Sequence, residues 1–359
     1  MRGAAVLGIA SKIIMTDTPR AISPDTRSRR KGAKAAPACP PVVRTADGDI
    51  RRVGIEIEFT GVDVPTAADV VRNAFGGGTA AEDPHRLILE DTEFGDFVVE
   101  LDARILHKGT ASSDGGDTPI LPDRLDTVAR DALGKAVAGV VPVEIVTPPL
   151  PWPDLSRLSA LTDALRAAGA KGTEDNILHA FGLHLNPEVP SEDTASVIRH
   201  LRAYFVLADW LRAEIGVDMT RRLMPHTDPF PRDYMLLVLD PDYAPGLRGL
   251  ITDYLDHSPT RNRELDMLPL FRHLDEGAVT ARLDDPLIKA RPTFHYRLPD
   301  CALADPDWSP VTEWNRWVKV EELAADPDRL GDMARACRTH LSRPAPARWL
   351  DELQAWLET

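Results

Sequence analysis

The sequence predicts an α+β domain in which a curved, mostly antiparallel sheet is packed with helices. Two observations point there. Five short stretches alternate an apolar face with a face of ligand-type polar side chains, and segments of helical periodicity separate most of them. Composition agrees: 43% hydrophobic and 27% charged residues describe a globular chain with enough apolar surface to bury a core.

The elements follow in order. Residues 1–48 read as a disordered leader rich in Pro, Arg and Ala, and Met15 reads as an alternative start that makes residues 1–14 dispensable. The first strand carries Val53, Ile55, Ile57 and Phe59 on one face, with Glu56 and Glu58 on the other. A short amphipathic helix over 67–74 runs into Gly76-Gly77-Gly78. That glycine run lacks the Lys-Ser/Thr of a phosphate loop and reads as a flexible turn. Strands over 86–92 and 97–106 meet through Gly95 in a hairpin-type turn, and the second sets Val98, Glu100 and Asp102 on one face. A polar loop at 112–117 precedes a helix over 125–137. The strand over 141–146 stops at Pro148-Pro149, which cannot continue a ladder.

Helices over 154–168 and 191–215 are the strongest helical segments, with Asp154 and Ser191 as their N-caps. Between them, 180–189 is a strand with His184 and Asn186 on one face. The proline-rich stretch 224–275 reads as loop and as the place for substrate specificity. Residues 293–298 form the last strand, with Thr293, His295 and Arg297 sharing a face. Helices over 311–358 close the chain, using Trp314, Trp317, Trp349 and Trp356 as packing anchors. The expected organisation is a leader over 1–48, a catalytic domain over 49–300, and a helical extension over 301–359 packed on the same domain.

Charge excludes some functions. The net charge is −14, yet residues 1–50 carry nine Lys/Arg against four Asp/Glu. The remainder therefore carries −19, the wrong sign for a nucleic-acid surface. No apolar run approaches the ~20 residues that span a bilayer. Cys39, Cys301 and Cys337 have no metal-type spacing and read as reduced thiols of a cytoplasmic protein.

The polar strand faces carry the chemistry. Glu56, Glu58, Glu100, Asp102 and Glu144, gathered on one floor with His184 and Asn186, form a charge cluster that cannot stay ionised without cations. Oxygen-rich sites of this kind suit Mg²⁺ or Mn²⁺. Glu144 lies in an otherwise apolar strand, where an unpaired carboxylate is costly. His184, between two leucines, is either a ligand or a core histidine. Arg297 opposite a metal cluster suits a transferred phosphoryl group. Arg261 and Arg263 are candidates for a substrate carboxylate or phosphate; the alternative is an exposed helix start in which Arg263 pairs with Asp266.

The motifs Gly54-Ile55-Glu56-Ile57-Glu58-Phe59, Glu100-Leu101-Asp102, Glu144-Ile145-Val146-Thr147-Pro148-Pro149-Leu150 and Gly182-Leu183-His184-Leu185-Asn186 resemble the ordered motifs of the amidoligase family. That family is similar to glutamine synthetase and glutamate–cysteine ligase. The resemblance implies a glutamine synthetase-like half-barrel and an ATP- and Mg²⁺- or Mn²⁺-dependent carboxylate–amine ligase that works through an acyl phosphate. It implies metal binding by Glu56, Glu58, Asp102, Glu144 and Glu100, and nucleotide contacts from His184, Asn186 and Arg297. Glu56, His184 and Arg297 would be catalytic, Arg261 and Arg263 would bind substrate, and the substrates would be small-molecule or peptide carboxylates and amines. One departure stands out: His295 occupies a position where glutamate is expected, which puts one metal contact in question. A metal-dependent hydrolase on the same acidic floor, and a binding protein without activity, remain as alternatives.

Overall fold

The computed structural model describes residues 35–83, 85–102, 141–173, 181–216, 228–344 and 348–357. The leader up to residue 34, the loop at 112–117 and the helix expected over 125–137 lie outside them. Strand β1 (Arg52–Phe59) buries Val53, Ile55, Ile57 and Phe59 completely, as its alternation predicts. Helix α1 (Val64–Phe75) begins at Asp63, whose carboxylate accepts the Thr66 N–H at 2.9 Å, and it is longer than its apolar periodicity suggests. The glycine run is more than a turn. Gly76 ends α1 at φ 76°, Gly77 turns the chain at φ 91°, and Gly78 opens a further strand, β2 (Gly78–Asp83).

β3 (Arg86–Thr92) and β4 (Gly95–Leu101) form the expected hairpin, with Gly95 at φ 111°. β5 (Val143–Val146) runs antiparallel to both β4 and β1. The Pro-Pro that follows shows how a ladder is suspended: Thr147 offers its hydroxyl oxygen to the Ile55 N–H at 3.0 Å, and pairing resumes at β6 (Leu150–Pro151). A 3₁₀ turn (Trp152–Arg157) leads into α2 (Leu158–Ala167), so Asp154 lies inside the turn and does not cap the α-helix.

β7 (Leu183–Pro187) pairs with the other edge of β1. α3 (Thr194–Ile215) is capped by Asp193 rather than Ser191; the Asp193 carboxylate accepts the Ser196 N–H at 2.7 Å. The proline-rich stretch differs most from its sequence reading. It contains α4 (Arg232–Val238), α5 (Leu247–His257), β8 (Leu265–Asp266) and α6 (Leu268–Leu274). Two of its prolines sit where helices tolerate them, Pro231 at the N-cap of α4 and Pro269 in the first turn of α6. After α7 (Glu276–Thr280) comes β9 (His295–Tyr296), only two residues of the six expected. The chain closes with α8 (Pro310–Ala324), α9 (Pro327–Leu341) and α10 (Trp349–Leu357).

The strand order is β2-β3-β4-β5-β1-β7-β9-β8, with β6 beside β1, and every ladder among the described strands is antiparallel. The architecture is therefore α+β, a mostly antiparallel open sheet with ten helices among the described residues. One buried cluster joins the apolar sheet face to α1, α2, α3 and α8, and Trp314, Trp317 and Trp349 are buried in it. Residues 35–48, read from sequence as leader, hold defined contacts: Trp314 Nε1–H donates to Ala38 O at 2.9 Å, and the Ala38 N–H to Asn315 Oδ1 at 2.7 Å. Among the described helices, none is long and apolar enough to cross a membrane.

Candidate metal centre

The ladder register decides which polar side chains meet. On β1, Glu58 lies opposite Glu144 of β5 and Glu56 opposite His184 of β7. Leu185 pairs with Tyr296 and Asp266 with His295, which brings the far strands into the same rows. The opposite face of these strands is the apolar core. The second face therefore carries Glu56, Glu58, Glu144, His184, Asn186, His295, Arg297 and Asp266, all buried. A solvated acidic surface is excluded by that burial.

Glu56 is the hub. Its Oε2 receives His184 Nδ1 at 2.8 Å, and its Oε1 receives Asn186 Nδ2 at 3.0 Å and Arg291 at 3.5 Å. Burial opposes its ionisation, but the imidazoles of His295 and His184 and the Arg291 guanidinium outweigh it and hold the carboxyl well below the usual range. An ionised carboxylate only accepts, so the His184 proton sits on Nδ1. Asn186 presents its Oδ1 to His295 Nδ1 at 2.7 Å, which places that proton on Nδ1 as well. Arg291 lies 3.1 Å from the same nitrogen and cannot donate to it in this tautomer. Burial, with Arg291 and Arg297 alongside, pushes His295 well below its ordinary value although Glu56 pulls the other way. The relay His295–Asn186–Glu56–His184 thus engages Nδ1 of both imidazoles and leaves Nε2 of both outside it, the ring nitrogen free to face a metal.

Two trios have metal-ligand geometry. One ligand atom from each of Glu56, His184 and His295 lies within 4.8 Å of the others, and so does one from each of Glu58, Glu144 and His184. His184 Nε2 lies 3.7 Å from Glu58 Oε1. Gly182 keeps that space open: an added Cβ would stand 3.0 Å from His184 Nε2 and 3.4 Å from Glu58 Oε2. At the β8–β9 end, Asp266 Oδ2, Thr293 Oγ1 and Arg291 Nε are buried and have no hydrogen-bond partner among the described residues. Asp266 is wholly buried, and burial raises its carboxyl to about 6 even against Arg297, Arg261 and Arg291. Mixed carboxylate–imidazole donors, a space kept by a glycine and unmet polar atoms together fit a bound divalent cation.

The remaining expected residues are placed as follows. Glu100 sits opposite Glu144 but pairs with Arg86 at 2.9 Å and keeps about a third of its side chain exposed. Asp102 is buried just past the end of β4. Neither belongs to a trio. Arg297 is buried beside Asp266, with its NH1 donating to Arg261 O at 3.3 Å. Arg263 is taken up by Ser258 Oγ at 2.6 Å, Pro229 O at 2.7 Å and the Phe230 ring, so it is not gathered with the carboxylates. The exposed helix start considered for this segment does not occur. Leu265 and Asp266 form a strand, and Glu264 is buried against Arg212 at 2.6 Å and Tyr204 at 3.0 Å. Arg291, Gly182 and Asp266 are not among the site residues the sequence names, because their positions beside Glu56, His184 and His295 depend on register rather than on any local motif.

A family model described as "putative amidoligase enzyme" matches residues 49–319. The chain belongs to the amidoligase family. Membership in the amidoligase family supports a ligase activity, and the span covers every strand of the candidate centre. No curated protein and no solved structure matches the chain.

Proposed function

We propose that this amidoligase-family chain is an ATP- and divalent-metal-dependent carboxylate–amine ligase that forms an amide through an acyl phosphate. The observation that carries the reading is the pair of buried Glu/His trios sharing His184, with Arg297 and Arg291 at the same face. Amide formation from a free carboxylate is uphill in water, so the carboxylate needs activation. A substrate carboxylate oxygen attacks the γ-phosphorus as its bond to the ADP oxygen breaks; the amine nitrogen then attacks the acyl carbon, phosphate leaves, and the amine gives up a proton.

Glu56, Glu58, Glu144, His184 and His295 are the donors that hold the cation, most simply Mg²⁺ or Mn²⁺, which neutralises phosphate charge when bound. Arg297 stabilises the charge moving onto the phosphoryl oxygens, and Asn186 orients the nucleotide end of the site through Glu56 and His295. Arg261, beside Asp266, contacts the substrate carboxylate. A half-barrel form of the sheet and a cytoplasmic setting with the cysteines reduced go with this reading. The test is an ADP-release screen of purified protein against pooled amino-acid and peptide carboxylates and amines, with Mg²⁺ or Mn²⁺. ADP release that requires both substrates supports the ligase. Product without ADP supports a hydrolase, and absence of Mg²⁺-ATP binding by calorimetry supports a protein without activity.

A further inference from the structure

The two trios differ in donor chemistry. Glu58, Glu144 and His184 offer two carboxylates and one imidazole; Glu56, His184 and His295 offer one carboxylate and two imidazoles. The second trio also lies against a cation, since Arg291 NH1 is 3.5 Å from Glu56 and its NH2 is 3.1 Å from His295. Glutamate at position 295 would add a negative oxygen ligand at this corner. Histidine supplies a neutral nitrogen instead, and the 2.7 Å bond to Asn186 fixes the ring with Nε2 as its donor atom.

Mg²⁺ depends on anionic and neutral oxygen ligands and gains little from imidazole, whereas first-row transition ions bind imidazole well. We infer that His295 makes the Glu56/His184/His295 corner a transition-metal position, selecting Mn²⁺ or a later first-row ion against Mg²⁺. Asn186 serves as the positioning residue for this selection. The inference rests on the reading that these carboxylates and imidazoles hold a cation, and it changes which cation the corner takes.

Nearly every protein site prefers a later transition ion to Mg²⁺. The informative quantity is therefore the change caused at position 295, not the preference of the natural chain alone. Full-length protein stripped of metal is loaded with less than one equivalent of Mn²⁺, and ¹⁴N modulation of the bound ion is read by electron spin echo. Mg²⁺ is then titrated as competitor. Imidazole modulation that falls in His295→Glu, together with at least a tenfold drop in the Mg²⁺ needed to displace Mn²⁺, is the expected result. His295→Gln, which removes the imidazole without adding charge, should lose the same modulation and guards against a folding artefact in the glutamate variant. Modulation and competition unchanged in both folded variants would overturn the inference. Failure of the two readings is distinguishable: nitrogen-ligated Mn²⁺ without substrate-dependent ADP release sinks the ligase alone, and full ligase activity with His295-independent metal binding sinks the inference alone.

Discussion

Two of the buried ionic clusters among the described residues are built on opposite principles. Around Arg51, every guanidinium nitrogen is used. NH1 donates to Glu321 Oε2 at 2.8 Å and Val42 O at 2.7 Å, NH2 to Glu321 Oε1 at 2.7 Å and Glu188 O, and Nε to Glu188 O at 3.0 Å. Trp317 adds a third donor to Glu321 at 2.9 Å. This cluster is closed, and it ties β1 to α8 and to residues 35–48. Around Glu56 the burial is comparable, yet Nε2 of both imidazoles lies outside the relay, and Asp266, Thr293 and Arg291 keep buried atoms without hydrogen-bond partners among the described residues. Folding alone gives little reason to hold such groups, because unmet polar atoms in a low dielectric destabilise the native state. One network completes itself, and the other is left incomplete among the described residues.

The sharpest way to break the comparison is to remove a carboxylate from the open cluster. Glu144→Ala and Glu56→Ala should each lower ATP-dependent ADP release on the order of a thousandfold. The folded state should survive in both, because the core face of β5 and β1 is untouched; circular dichroism checks the fold. Turnover retained by both variants would sink the site. Next in size, Arg51→Ala leaves Glu321 buried and uncompensated and should cost roughly 3–5 kcal/mol in urea unfolding. Mn²⁺ affinity of the folded fraction should not change. A stability loss well under about 1 kcal/mol would erase the distinction between the clusters. Smallest is Gly182→Ala, whose methyl group presses on His184 Nε2. It should weaken Mn²⁺ binding about 10- to 100-fold, as disturbed ligand orientation does elsewhere, with little effect on melting. Unaltered affinity would show that the space beside Gly182 is not used.

Much of this is legible in the sequence. Strict alternation over residues 53–59 gives both faces of β1, and the hairpin at Gly95 follows from its flanking apolar runs. The polar residues of four of the five strand faces lie on one buried face, and a period of two is the strong signal that groups them. Other parts were hidden for physical reasons. Prolines are as much a mark of a helix start as of a loop, so α4 and α6 read as loop. β6 and β8 have two residues each and no period to detect. Burial of Asp266 and the reach of Arg291 to Glu56 depend on partners remote in sequence. His295 reads as a departure in the sequence, and it becomes a candidate ligand only when His184 and Glu56 stand beside it.

The order of the strands also sets a timetable. β1 is among the first elements synthesised, while Arg291, which reaches Glu56, lies 235 residues further on. At ~5–20 residues per second of synthesis, Glu56 and Glu58 wait about 10–50 s for the far wall of their pocket. Until β9 arrives, the nascent chain carries Glu56, Glu58, Glu144 and His184 but no imidazole at position 295. On the inference drawn for His295, metal choice would then be a property of the finished sheet, set only once β9 has been made.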